Sequence, residues 1–81
     1  MPRYFFDIDD GERETRDTIG QEFDSRESLK AAAITELPHV ARDELPDSDQ
    51  RQFKVSVRDE TGRYIFRASL TLRAEWLNGG F

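Results

Sequence analysis

The sequence predicts an α+β fold: a two-layer ββαββ arrangement in which an antiparallel four-stranded sheet carries one Pro-kinked helix on one face. Three observations predict it. Alternation of apolar and polar residues with period two runs through both ends of the chain, as expected of half-buried strands. Apolar residues at helical spacing occupy the middle, from Leu29 to Leu45. Two glycine-containing turns, Asp9-Asp10-Gly11-Glu12 and Asp59-Glu60-Thr61-Gly62-Arg63, punctuate the strand segments in the way that closes hairpins. A helix with one apolar stripe must bury it against a surface, and the strands are the only one on offer.

The first strand is Tyr4-Phe5-Phe6-Asp7-Ile8. Alternation puts Tyr4, Phe6 and Ile8 on the core face and Phe5 and Asp7 on the other. Its aromatics on both faces place it inside the sheet. The returning strand, from Glu14 to Ile19, is polar and suits an edge, where charge discourages pairing with other chains. Gly20 breaks that pattern.

Asp24 and Glu27 have the spacing of a capping box at the helix start, with Ser25 as a competing cap one residue later and Phe23 as a hydrophobic staple. The stripe comprises Leu29, Ala32, Ala33, Leu37, Val40, Ala41 and Leu45, with Ile34 at its border. Pro38 lacks a backbone donor and crowds the carbonyl of Ile34, which predicts a kink or short interruption. The element is expected to resume at Val40 and to stop at Leu45-Pro46-Asp47. Phe53, Val55 and Val57 then alternate with polar residues as the third strand. In the last strand Phe66, Ala68, Leu70, Leu72, Ala74 and Trp76 alternate with Arg67, Ser69, Thr71, Arg73 and Glu75, which predicts that Trp76 docks in the core.

The 81 residues have no cysteine and no repeat or linker composition, so they are expected to form one domain over residues 1–81. Nine aromatics and 36% hydrophobic residues favour a folded chain over a disordered one. A chain this short buries only roughly 60% of its unfolded surface, and no disulfide or Cys-based zinc site can reinforce it. Self-association is the expected compensation. No apolar run reaches the roughly 20 residues that span a bilayer, and the start lacks an apolar signal core; the expected location is the cytoplasm, without membrane contact. Residues 1–24, 25–50 and 51–81 carry net charges of −5, −3 and +3. The acidic total disfavours non-specific nucleic-acid binding, with the basic last third as the local exception.

Met1-Pro2-Arg3-Tyr4-Phe5-Phe6-Asp7, the turn Asp10-Gly11, Asp17-x-x-Gly20-x-Glu22-Phe23 and Val55-x-Val57-Arg58-Asp59-Glu60-x-Gly62 together resemble a family of short bacterial proteins of unknown function, about 80 residues long and widespread in alphaproteobacteria. The resemblance covers nearly the whole chain and implies a small stand-alone bacterial domain; it supplies no activity. Pro38 inside the helix departs from it. A more distant similarity, in a hairpin followed by glycine and a helix, is to the antitoxin half of HicA/HicB-type pairs.

No candidate for chemistry outweighs its structural alternative. Asp7, Asp9, Asp10, Glu12 and Asp17 crowd the first hairpin, but the glycine of a calcium loop is misplaced by one residue and the twelfth position falls on Thr18. A solvated acidic turn is the better reading. His39 is the one histidine; its neighbour Asp43, one turn on, is ordinary helix-surface chemistry. The expectation is therefore no enzyme, no metal and no cofactor. Lys54, Arg58, Arg67 and Arg73 should project from the outer sheet face with Phe5, where a ring could stack on a base of single-stranded RNA. Trp76 and Phe81 end the chain as large apolar residues around a flexible glycine pair. Phe5, Lys54, Arg58, Arg67, Arg73, Trp76 and Phe81 are thus the candidate interaction surface. The expected role is a non-enzymatic protein-interaction or self-association module, with an unknown protein or a second copy as partner. The alternative is a nucleic-acid-associated or antitoxin-like regulator using the outer sheet face.

Overall fold

The alternating residues of the computed structural model pair as the period-two pattern requires; it describes residues 2–44 and 49–80. Among the described residues, five strands and one helix follow in the order β1 (Arg3–Asp9), β2 (Glu14–Thr15), β3 (Gln21–Glu22), α1 (Arg26–Glu44), β4 (Gln50–Arg58) and β5 (Tyr64–Arg73). The antiparallel sheet runs β2-β1-β4-β5, and β3 also pairs with β1. The first strand is interior, as its aromatics on both faces imply. Leu45, the predicted stop at Leu45-Pro46-Asp47 and the terminal Phe81 lie outside the described residues.

The returning strand departs from expectation. It stays on the ladder only at Glu14 and Thr15, opposite Asp9 and Ile8, and rejoins β1 at Gln21 and Glu22, opposite Tyr4 and Arg3. Between them the Asp17 side chain replaces the missing strand, because its Oδ2 accepts the N–H of Phe6 at 3.0 Å. A carboxylate here does the work of a ladder carbonyl. Ile19, predicted to end the strand, is left 79% exposed.

The helix begins one residue later than a cap at Asp24 would require. Ser25 Oγ accepts the N–H of Ser28 at 3.1 Å, and the Ser28 hydroxyl reaches back to the Ser25 carbonyl, so the competing Ser25 cap is used. The helix then runs without interruption through Pro38 to Glu44. Leu29, Ala33, Leu37 and Ala41 are buried, each four residues from the last, against fully buried Phe53, Val55 and Val57 of β4. The two alanines among these four let the helix lie close to the sheet. Phe23 covers the β1 end of the core, its ring stacked on Phe6 with centroids 5.6 Å apart and tilted against Tyr4.

At the other edge the pattern outruns the ladder. The β4–β5 pairing ends with Gln50 opposite Arg73, followed by one hydrogen bond from Ala74 N–H to the Asp49 carbonyl. Among the described residues no further pairing follows, and the strand ends at Arg73, before Trp76. Trp76 is 71% exposed and not docked in the core. Leu70, although on the helix-facing side by register, is also largely exposed.

Candidate functional site

The most constrained polar cluster sits on the sheet face opposite the helix and is built around Asp7. Alternation puts Asp7 on that face, and pairing of Phe5 with Arg58 and of Asp7 with Ser56 puts Arg58 diagonally across from it. Arg58 Nε donates to Asp7 Oδ2 at 2.8 Å and Nη2 to Oδ1 at 3.1 Å, the two-bond geometry that suits a guanidinium. The Tyr64 hydroxyl donates to Oδ2 at 2.7 Å, and the Asp17 N–H to Oδ1 at 2.9 Å. Arg58 Nη2 also reaches the Asp17 carbonyl.

Tyr64 arrives there through a register shift between Val57 and Arg58: Val57 faces Phe66, but Arg58 faces Tyr64. Ile65 is the extra residue, and the bulge re-aims Tyr64 from the helix side to the Asp7 side. The loop 16–20 closes over the cluster. Asp17 Oδ1 accepts the N–H groups of Ile19 and Gly20. Gly20 has φ +75°, and a Cβ there would lie 2.8 Å from Phe5 Cε1 and 2.9 Å from the Tyr4 carbonyl. Only glycine fits both the angle and the space.

Burial alone would raise the Asp7 carboxyl. The hydrogen bonds from Arg58, Tyr64 and the Asp17 N–H, together with the Arg58 charge, outweigh it and hold the group at about 2. Asp17 is also lowered: burial acts upward, but the Phe6, Gly20 and Ile19 N–H groups prevail. Its hydrogen bond to Asp7, foremost, raises Arg58, with burial acting the other way. With four donors around it, Asp7 has no lone pair left for a substrate proton. The cluster is a clasp between β1, β4, β5 and the 16–20 loop.

A second clasp uses Arg51, buried on the helix-facing side with its guanidinium 5.3 Å from the Phe53 ring centre. Its Nε donates to the Asp10 carbonyl at 2.9 Å, and its charge lies 3.8 Å from both Asp10 and Glu12. The acidic turn is thereby occupied: Asp10 Oδ1 accepts the Glu12 and Arg13 N–H groups, and Asp9 Oδ1 that of Gly11. Asp59 closes the second turn in the same way, accepting from Thr61 and Arg63. Among the described residues no group of three or more His, Cys, Asp or Glu is placed to hold a metal ion.

The predicted interaction residues fall into three sets. Arg58 is buried and does not project from the sheet, since Asp7 draws it inward, and Phe5 lies beneath its guanidinium at 4.8 Å. Lys54 is half-buried between Asp9 and Ser69; Arg67 and Arg73 are exposed on the outer face, Arg67 bonded to Ser56 Oγ. Trp76 is exposed beyond the end of β5, and Phe81 lies outside the described residues. Asp7 itself is 3% exposed and not part of a solvated turn. The residues that alternation missed are Asp7, Asp17, Tyr64 and Arg51. One signal was available: a carboxylate in mid-strand between Phe6 and Ile8, in a chain with an arginine at a strand end.

An open cleft of about 930 Å³ separates the first turn of α1 from the β4–β5 turn, with Tyr4, Phe23, Leu29, Arg63, Ile65 and Phe66 in its walls. Among the described residues no helix is long and apolar enough to cross a membrane. Sheet, helix and clasps define a small α+β protein whose polar motifs hold the fold together. Residues 3–71 match the family described as Domain of unknown function (DUF6894), and the chain belongs to that family. No curated protein and no solved structure matches it.

Proposed function

We propose that the chain is a non-enzymatic interaction module whose contact surface is the outer edge of β5 and the Trp76–Leu77 end. One observation carries this reading: β5 is a ten-residue terminal strand of the sheet that presents an unpaired row of backbone groups next to exposed apolar side chains. Ile65 and Leu70 are 43% and 41% exposed, and Trp76 and Leu77 71% each. Sheet edges are normally shortened, covered, charged, bulged or interrupted by proline; β5 carries the bulge at Ile65 and exposed Arg67 and Arg73, but its ten residues hold no proline and, among the described residues, no strand pairs with its outer edge. The same groups that make such an edge a hazard make it a binding strip.

The nucleic-acid alternative keeps Lys54, Arg67 and Arg73 but loses Arg58 and Phe5, which engage each other. Light scattering coupled to size exclusion, at two protein and two salt concentrations, tests the module reading together with pull-downs from a bacterial lysate. Self-association or a retained protein, lost on Leu70→Lys, is the expected result. A monodisperse monomer that retains nothing would overturn it.

A further inference from the structure

Resting on that reading, we infer that the occupant of the β5 edge is a second copy of the chain, paired β5 to β5 about a two-fold axis through Ser69. The axis of an antiparallel pair of identical strands stands perpendicular to the sheet, so both helices lie on the same face and side chains of one face meet only their own kind.

Charge selects among the remaining registers. A centre at Leu70 sets Arg67 opposite Arg73 of the other copy, a centre at Ala68 carries Arg73 past the end of β5 to the turn residue Arg63, and a centre at Arg67 sets that residue against itself. Like charges directly opposite destabilise a strand pair. A centre at Thr71 avoids the clash but leaves only Ser69 to Arg73 overlapping within β5. A centre at Ser69 pairs Arg67 with Thr71 on the outer face and brings Arg73 to the bulge at Ile65, clear of another arginine. On the helix face it joins Phe66 to Leu72 and Ala68 to exposed Leu70, along nearly the whole strand.

The helix layer fits the same arrangement. Because α1 packs across β4 and β5, the two helices of such a pair stand about two strand spacings apart, roughly 10 Å, within the usual range for packed helices. Glu36 lines the hollow above β1. Ile34, two residues earlier and so on the opposite flank of the helix, is 45% exposed midway along α1 on the β5 side. It meets its own copy near the axis.

Area agrees with this. The chain exposes 6190 Å², against roughly 5000 Å² for a compact 9.4 kDa monomer. That surplus exceeds the roughly 800 Å² that each partner buries in a standard interface.

Absence of native cysteine makes the register directly testable. Ser69→Cys, Arg67→Cys and Thr71→Cys are each oxidised, alone and in mixtures, and run without reductant after light scattering of the unmodified protein. The proposal expects a dimer in scattering, a covalent dimer from Ser69→Cys, and linkage of Arg67→Cys to Thr71→Cys only when the two are mixed. A dimer in which Ser69→Cys stays unlinked, or in which Arg67→Cys links to itself, overturns this interface and leaves the module reading intact. A strict monomer that still retains a foreign protein overturns the second copy as occupant alone. A strict monomer that retains nothing overturns both.

Discussion

Asp7 and Arg58, 51 residues apart in the chain, form a two-bond ion pair on the sheet face away from the helix, at 2.8 and 3.1 Å. Both side chains are almost wholly buried, so each is the other's substitute for water.

Removing one partner leaves the other charge buried and uncompensated. Asp7→Leu or Arg58→Met is expected to cost about 3–5 kcal/mol, and the double variant Asp7→Leu/Arg58→Met less than the two single losses added together. Urea unfolding of the three variants beside the parent checks this. Equal and additive losses would mean that the two residues act independently.

Acid should unfold the protein through the same pair. The folded Asp7 carboxyl lies at about 2, below its ordinary value of 3.8, and Asp17 is shifted the same way. A folded pKa below the unfolded one contributes stability that is complete above the unfolded value and is lost as pH falls through the folded one. The urea midpoint is therefore expected to fall between about pH 4 and 2, and more shallowly in Asp7→Asn.

Gly20→Ala and Gly62→Ala separate backbone strain from crowding. Both glycines have positive φ, but a Cβ at Gly62 meets nothing within 4 Å whereas one at Gly20 meets three atoms inside 3 Å. Gly62→Ala should cost about 1–2 kcal/mol, and Gly20→Ala about 1–3 kcal/mol more. Thermal melts of the two variants decide it; equal losses would show that the 16–20 loop moves aside freely.

Pro38 is exposed inside a helix that continues on both sides of it. Pro38→Ala restores a backbone donor there and is expected to stabilise by about 1–3 kcal/mol, read as a higher Tm. A lower Tm would mean that the helix depends on a bend at this position.

Much of the architecture was legible because it is local. The alternation of Phe53, Val55 and Val57, the four-residue spacing of Leu29, Ala33, Leu37 and Ala41, and the turn residues Asp10, Gly11, Asp59 and Gly62 each act within a few positions of themselves. The polar motifs were legible as motifs but not as partners. Asp17, Gly20 and Arg58 stood out in the sequence, yet no periodicity says that an Asp17 carboxylate fills a gap in the β1 ladder, or that Gly20 seats against Phe5. The Ser25 cap was available as the competing register, and it is the one the helix uses.

Composition and spacing by themselves determined the helix, the strands β1, β4 and most of β5, their helix-facing sides and the interior place of β1, since burial follows from which side chains share a face. Tertiary structure alone decided the rest. It drew Arg58 inward to Asp7, because a buried carboxylate needs a counter-charge. It turned Tyr64 over at a bulge and ended β5 at Arg73, opposite Gln50. Those are contacts between distant segments, and which of them form depends on the register in which the strands meet.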